Sequence, residues 1–251
     1  MRCCIVDMGA DPLVHQWALL SGLSVAREEQ VIRVYRGGIE LRLSNEQDEW
    51  LRDRGFERMF ESCYLPSYAQ GNVRAALVHA LFEEIGAEEY RTGITSNKNV
   101  GCYDFLFQGV FRRISGVVKN VLDVGCGPGT ILQSSIVADG QFCVGFDFVE
   151  AKVIEAKSAG LAVADVGELR ALPIGSFDVF LSVFVLHYES MPKDTLEMLV
   201  KLLRKDGIWA ANFHKSMGLT SFIEALSCCG EFAFEQEASQ YGPILFARRV
   251  I

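Results

Sequence analysis

Three acids, three glycines and two histidines carry the chemistry of this sequence. Asp123 lies within the apolar run Val121-Leu-Asp-Val124. An unpaired carboxylate there is costly unless backbone donors or a cationic ligand meet it. Gly125, Gly127 and Gly129 follow at once, around Cys126 and Pro128. Glycines so spaced make a tight turn whose backbone a ligand can touch, because no Cβ intervenes. Asp147-Phe148 comes next. An ionised carboxylate accepts two or more hydrogen bonds, so Asp147 suits a pair of neighbouring hydroxyls. Its plain alternative is a cap for the helix that starts at Val149. Asp165-Val166 is the third acidic station, and its plain alternative is a solvated turn. His187 and His214 have ordinary pKa values near neutrality, the range of a general base. Each is also explained as a packing or pocket-lining residue.

The surrounding pattern says what holds these residues. Residues 121–124 read as a short buried strand, and a helix-like pattern begins near Thr130. Strands are expected over residues 141–147, 161–165, 177–185 and 208–213. Helices alternate with them over residues 149–159, 193–203 and 219–228. Alternating strands and helices imply a parallel sheet covered on both faces. Residues 231–239 and 243–250 read as two strands joined at Tyr241-Gly242, which must be antiparallel. In such sheets ligands bind at the carboxyl ends of the strands. Asp147, Asp165, His187 and His214 all fall there, as does the glycine turn.

Upstream, Asp11-Pro12 starts a short helix, with the capping side chain and then proline in the first turn. Residues 31–35 and 39–43 alternate apolar and polar side chains around Arg36-Gly37-Gly38, which reads as a β-hairpin. Ser44 or Asn45 caps a helix over residues 46–60. Val73, Leu77, Leu81 and Ile85 mark a third helix after Gly71-Asn72. Residues 91–101 form a polar break, either a linker or a mobile flap, and residues 103–118 read as a helix leading into the central strand. The N-terminal part is therefore expected to be mainly helical with one hairpin.

The chain has 251 residues, 50% of them hydrophobic, enough for a sizeable globular core. Its net charge of −8 disfavours nucleic acid or an anionic membrane as the main partner. The eight cysteines form no C-x-x-C pair, and no His/Cys cluster has metal spacing. Reduced thiols in the cytoplasm are the simpler reading. The first residues lack a secretory pattern, and no apolar run reaches membrane-spanning length.

The segment Val121-Leu-Asp-Val-Gly-Cys-Gly-Pro-Gly-Thr130 resembles the nucleotide loop of class I S-adenosylmethionine-dependent methyltransferases. A dinucleotide fingerprint G-x-G-x-x-G also follows a strand. Here the third glycine comes one residue earlier and Pro128 separates the last two. Further on, Leu172-Pro173-Ile174-Gly175-Ser176-Phe177-Asp178, followed by Val185-Leu186-His187, resembles the small-molecule members of that group. The resemblance covers about residues 103–251. It implies a Rossmann-like, doubly wound α/β sheet, mostly parallel with a C-terminal antiparallel hairpin. It implies S-adenosylmethionine as cofactor, held by Asp123, Gly125, Cys126, Gly127 and Gly129. Asp147 would take the ribose, Phe148 an adenine face, and Asp165 the adenine amino group. The Val166 N–H would reach a ring nitrogen, and Ser182 would offer backbone near the methionine part. Residues 101–251 would form this cofactor-binding domain and residues 1–100 a lid and substrate-binding region, with Tyr64, Tyr68, Tyr90 and Tyr103 as wall candidates.

The resulting expectation is methyl transfer to a small molecule. No N-P-P-Y-like tetrapeptide follows the fourth strand, where Ser182-Val-Phe-Val-Leu-His187 stands, so oxygen or carbon is favoured over nitrogen. His187 and His214 are the candidate catalytic bases, ahead of Tyr188, Tyr103 and Glu189. His15 and His79 read as surface or packing residues. A protein or RNA acceptor is the second reading, and predicts salt-sensitive binding in a charged groove. A protein of this fold that keeps the cofactor without methylating is the third. No metal is expected.

Overall fold

In the computed structural model, residues 3–9, 11–29, 32–37, 43–85, 96–138 and 140–251 are described, and the chain divides into two compact units, residues 1–93 and 94–251. The first unit contains β1 (Cys4–Asp7), α1 (Pro12–Leu20), β2 (Ser24–Glu29), β3 (Ile32–Arg36), α2 (Asn45–Asp53), β4 (Phe56–Phe60), β5 (Cys63–Pro66) and α3 (Gly71–Glu84). Its strands lie in the order β2-β3-β1-β5-β4. Only β1 and β5 are parallel; the other neighbours are antiparallel.

This five-stranded sheet corrects the expectation of a mainly helical N-terminal part with one hairpin. β3 pairs with β2, ahead of it in the chain, and the expected second hairpin strand falls on residues 39–42, outside the described residues. The helix expected over residues 46–60 is two elements. Ser44 starts α2 with a reciprocal cap: its hydroxyl accepts from the Gln47 N–H, and the Gln47 side chain accepts from the Ser44 N–H. Gly55 then takes a φ of 79°, and the chain leaves as β4. A glycine in the left-handed region ends a helix at low steric cost, so the periodicity beyond it belongs to a strand. α1 forms as its residues dictate, with the Asp11 side chain accepting from the Leu13 N–H at 2.8 Å.

The second unit contains α4 (Ser96–Phe111), β6 (Asn120–Val124), α5 (Ser135–Ala138), β7 (Phe142–Phe146), α6 (Glu150–Ser158), β8 (Ala162–Val163), α7 (Val166–Ala171), β9 (Phe177–Ser182), α8 (Lys193–Leu202), β10 (Leu203–Asn212), α9 (Leu219–Cys229), β11 (Phe232–Glu237) and β12 (Ile244–Arg249). The seven strands run β11-β12-β10-β9-β6-β7-β8. From β10 to β8 every pairing is parallel, and the C-terminal pair is antiparallel. The expected Rossmann-like sheet is present. The chain winds outward from β6 through β7 to β8, then returns to place β9 on the other side of β6. That reversal puts the switch point of the sheet between β6 and β9, and ligands of such sheets bind outside the carboxyl ends of the strands there.

Alternation along β6 sends its side chains to two different cores. Leu122 and Val124 pack with Phe180, Trp209 and Leu199 on one face. Val121 packs with Leu106, Phe107 and Val110 of α4 on the other. Burying each such side chain contributes about 1.5–3 kcal/mol. Asp123 shares the face of Val121 and therefore points toward α4. That helix begins at Ser96, within the stretch expected as a polar break.

Candidate functional site at the strand tips

The glycine turn is built as its composition demands. Gly125, Gly127 and Gly129 have φ values of 81°, 51° and 83°, a region that L side chains rarely adopt. Close packing adds to the requirement. A Cβ on Gly125 would collide with Val185, and one on Gly145 of β7 would lie 2.8 Å from the Cys126 Sγ. Cys126 is buried beneath the turn, so its thiol packs and its backbone shapes the loop.

Asp147 holds this turn from the next strand tip. Its Oδ2 accepts from the Gly127 N–H at 2.8 Å, and its Oδ1 from the Val149 N–H at 2.9 Å. One carboxylate thus ties the glycine turn to the entry of α6. Burial pushes its pKa up; the N–H groups of Val149, Gly127 and Phe148 and the Lys152 charge pull the other way. Lys152 itself is only 2% exposed. Each carboxylate oxygen still has accepting capacity beyond one hydrogen bond. Phe148 meets Phe146 edge-on, with ring centroids 4.9 Å apart.

Asp123 is fully buried, and the Tyr103 hydroxyl reaches both its oxygens at 2.9 Å. Burial pushes its pKa up to about 8; the Tyr103 hydroxyl opposes the rise and the Asp147 charge adds to it. Asp165 caps α7 in a second reciprocal arrangement, accepting from the Glu168 N–H at 2.8 Å while its own N–H donates to Glu168 at 2.9 Å. Val166 is the first residue of α7, and N–H groups of a first turn have no intrahelical acceptor.

The tips of β9 and β10 hold the other half of the site. β9 ends at Ser182, short of the expected residue 185, because Phe184 turns left-handed with a φ of 56°. Asn212 fixes that turn. Its Oδ1 accepts from the Phe184 N–H at 2.7 Å, and its Nδ2 donates to the Tyr241 carbonyl at 3.0 Å. The Ser182 hydroxyl accepts from the Trp209 indole at 3.0 Å, so its side chain faces the core. His187 is 4% exposed, and its Nδ1 has no hydrogen-bond partner among the described residues. Burial pushes its pKa down to about 3, with the nearby His214 adding to the fall. The two imidazole centroids are 6.1 Å apart. His214 is lowered too, first by burial and then by Lys215 and Lys98.

The acids and imidazoles picked out in the sequence therefore do gather at the tips of five neighbouring parallel strands. Other expectations fall elsewhere. Tyr64 lies in the core of the first unit and donates to Asp48 at 2.7 Å. Tyr68 is exposed, and Tyr90 lies outside the described residues. Tyr103 belongs to the second unit as the partner of Asp123. Tyr103, Asn212 and Lys98 have no motif that marks them for these contacts. Among the described residues no group of three or more His, Cys, Asp or Glu could hold a metal ion, and no helix is long and apolar enough to cross a membrane.

Residues 122–211 match the model of a family described as a methyltransferase domain. The matched segment is that of an enzyme, an S-adenosylmethionine-dependent methyltransferase domain, with S-adenosylmethionine as its cofactor. No curated protein matches the sequence at a significant level. Many solved structures share the fold. One, from Methanococcus maripaludis and assigned provisionally to the S-adenosylmethionine-dependent methyltransferases, is 11% identical, with a TM-score of 0.51 over 67% of this chain and 95% of that one. Magnesium protoporphyrin IX methyltransferase from Synechocystis is 20% identical, with a TM-score of 0.47 over 72% of this chain and 99% of that one. An S-adenosylmethionine-dependent methyltransferase from Mesorhizobium loti is 16% identical, with a TM-score of 0.44 over 57% and 97%.

The residues at the tips suit a cationic nucleoside. Three acids stand on adjacent stations, the fully buried Asp123 holding a proton at neutral pH, beside a turn whose three glycines leave the backbone open. Such a donor and acceptor set favours positive charge and hydroxyl groups over phosphate.

Proposed function

We propose that the chain transfers a methyl group from S-adenosylmethionine to a small-molecule acceptor, at oxygen or carbon rather than nitrogen. In this reading the turn from Gly125 to Gly129, with Cys126, cradles the amino-acid end of the cofactor beside Asp123. Asp147 accepts from the ribose hydroxyls, Phe148 flanks the adenine, and Asp165 with the Val166 N–H reads its edge. Backbone at Ser182 meets the methionine part. Residues 101–251 are the cofactor-binding domain, residues 1–100 contribute the lid and acceptor wall, and the eight free cysteines suit a cytoplasmic setting.

When bound, the cofactor supplies a methyl that is already electrophilic on a sulfonium. What remains for the chain is to orient the acceptor, exclude water and handle a proton. The observation that carries the reading is the unpartnered Nδ1 of buried His187 beside His214. An imidazole with its pKa near 3 is neutral at physiological pH, and its free nitrogen can accept a hydrogen bond from an acceptor hydroxyl. It is too weak a base to keep that proton. Half-buried His214 retains contact with water and is the better proton acceptor. The net charge of −8 further supports a small acceptor over a nucleic acid.

The test is label transfer. The enzyme is incubated with methyl-labelled S-adenosylmethionine and a cell extract, which is then separated into macromolecules and ultrafiltrate. The reading predicts label in the ultrafiltrate. Label confined to protein or RNA contradicts it.

A further inference from the structure

Backbone strain in this chain is concentrated where an acceptor would sit. Among the described residues six non-glycine positions have positive φ, and four of them follow β9 and β10: Phe184, Glu189, Lys215 and Ser216 at 56°, 56°, 51° and 62°. Residues held in this region cluster at ligand clamps, because the surroundings must impose them. Asn212 imposes the one at Phe184.

Unneutralised positive charge collects at the same place. The Lys98 ammonium stands 5.1 Å from the centre of the Phe184 ring. Burial and then the cations Lys215 and Lys98 depress His214, and the His187 ring lies beside it. Among the described residues no carboxylate pairs with Lys98, His214 or Lys215. In a chain of net charge −8, two lysines and an imidazole with no carboxylate paired to them among the described residues are poised for an anion. The buried Nδ1 of His187 is a second, independent sign of a missing ligand atom, since buried polar atoms are almost always hydrogen-bonded.

The sheet order sorts the charges. Asp123, Asp147 and Asp165 stand at the tips of β6, β7 and β8, while Lys98 of α4 lies over Phe184 after β9 and Lys215 follows β10, on the other side of β6. We propose that the methyl acceptor is a small carboxylic acid with a planar apolar body: its carboxylate docks among Lys98, His214 and Lys215, its body lies on Phe184, and its reacting group faces His187. This assignment rests on the methyltransferase reading above, and deepens it to a substrate class.

The probe is benzoate, added to enzyme saturated with S-adenosylhomocysteine, with the histidine ring signals followed by NMR across pH. An anion within about 4–6 Å favours the protonated imidazole, so benzoate should raise the His214 pKa by about one unit. Benzamide, and chloride at equal ionic strength, should not. Lys98→Met should weaken benzoate binding about tenfold, the scale of losing a charge-assisted contact, and leave S-adenosylhomocysteine affinity by calorimetry unchanged. A His214 titration that benzoate leaves in place, or that benzamide moves equally, overturns the proposal. S-adenosylhomocysteine binding with no benzoate response sinks this assignment alone; failure of S-adenosylhomocysteine to bind sinks the methyltransferase reading beneath it.

Discussion

Asp147 has two duties that a single substitution separates. Its two oxygens fix the backbone at Gly127 and Val149, and the same carboxylate is the proposed ribose acceptor. Asp147→Ala should weaken S-adenosylmethionine binding by roughly 1–3 kcal/mol, the scale of lost hydrogen bonds to a charged group. It should also lower stability by about 1 kcal/mol, the net scale of an intramolecular hydrogen bond, through the Gly127 and Val149 N–H groups it leaves unpaired. Calorimetry and thermal melts of the same variant report the two effects, and unchanged cofactor affinity would remove the ribose role. Asp123 makes a different prediction. Its pKa is raised from the ordinary 3.8 to about 8, so the folded state binds a proton that the unfolded state releases. Its stability contribution is therefore fully present below about pH 4 and is lost as pH rises through about 8. Without cofactor, the stability of the natural protein relative to Asp123→Asn should fall steadily from about pH 5 to about pH 8. A difference that stays flat across that range contradicts the burial argument.

At the scale of elements, Asp178 shows why the Phe177-Asp178 pair stands where it does. Burial pushes its pKa up, but the N–H groups of Asn120 and Lys119 and the Arg204 guanidinium bring it below the usual carboxylate value. Its Oδ2 accepts from the Lys119 and Asn120 N–H groups at 2.8 and 2.9 Å, and its Oδ1 from Arg204 at 2.6 Å. One side chain thus joins the starts of β6, β9 and β10 and sets their relative register. Asp178→Ala should cost about 2–3 kcal/mol in chemical denaturation through the donors left unpaired. A loss below about 0.5 kcal/mol, the size of an ordinary surface change, would show that the strands register without it.

The elements also show what a sequence can reveal. The second unit was legible because alternation, glycine spacing and capping residues are local signals, and each parallel strand announced itself. The first unit was less so. The pairing of β1 with β5 and of β2 with β3 depends on contacts between distant residues, and the end of the helix at Asp53 depends on one glycine. The same limit applies within the site. The strand-tip placement of Asp123, Asp147, Asp165, His187 and His214 follows from their position in the alternating pattern. That Tyr103 would face Asp123, or Asn212 the Phe184 N–H, depends on how α4 and β10 lie against their neighbours. No short-range pattern encodes that.

For the whole molecule, the unifying feature is the separation of charge across one row of strand tips. Asp123, Asp147 and Asp165 occupy the side from β6 to β8, and Lys98, Lys215 and the neutral imidazole of His187 lie about the tips of β9 and β10. A positively charged donor and a proton-bearing acceptor can then approach from opposite sides of the switch point between β6 and β9. The most direct measurement is a crystal structure of the enzyme grown with S-adenosylhomocysteine. The account predicts the nucleoside lying across the tips of β6, β7 and β8, its ribose hydroxyls on Asp147 and its amino acid over the glycine turn. Density elsewhere on the protein, or bare tips at saturating ligand, would contradict it.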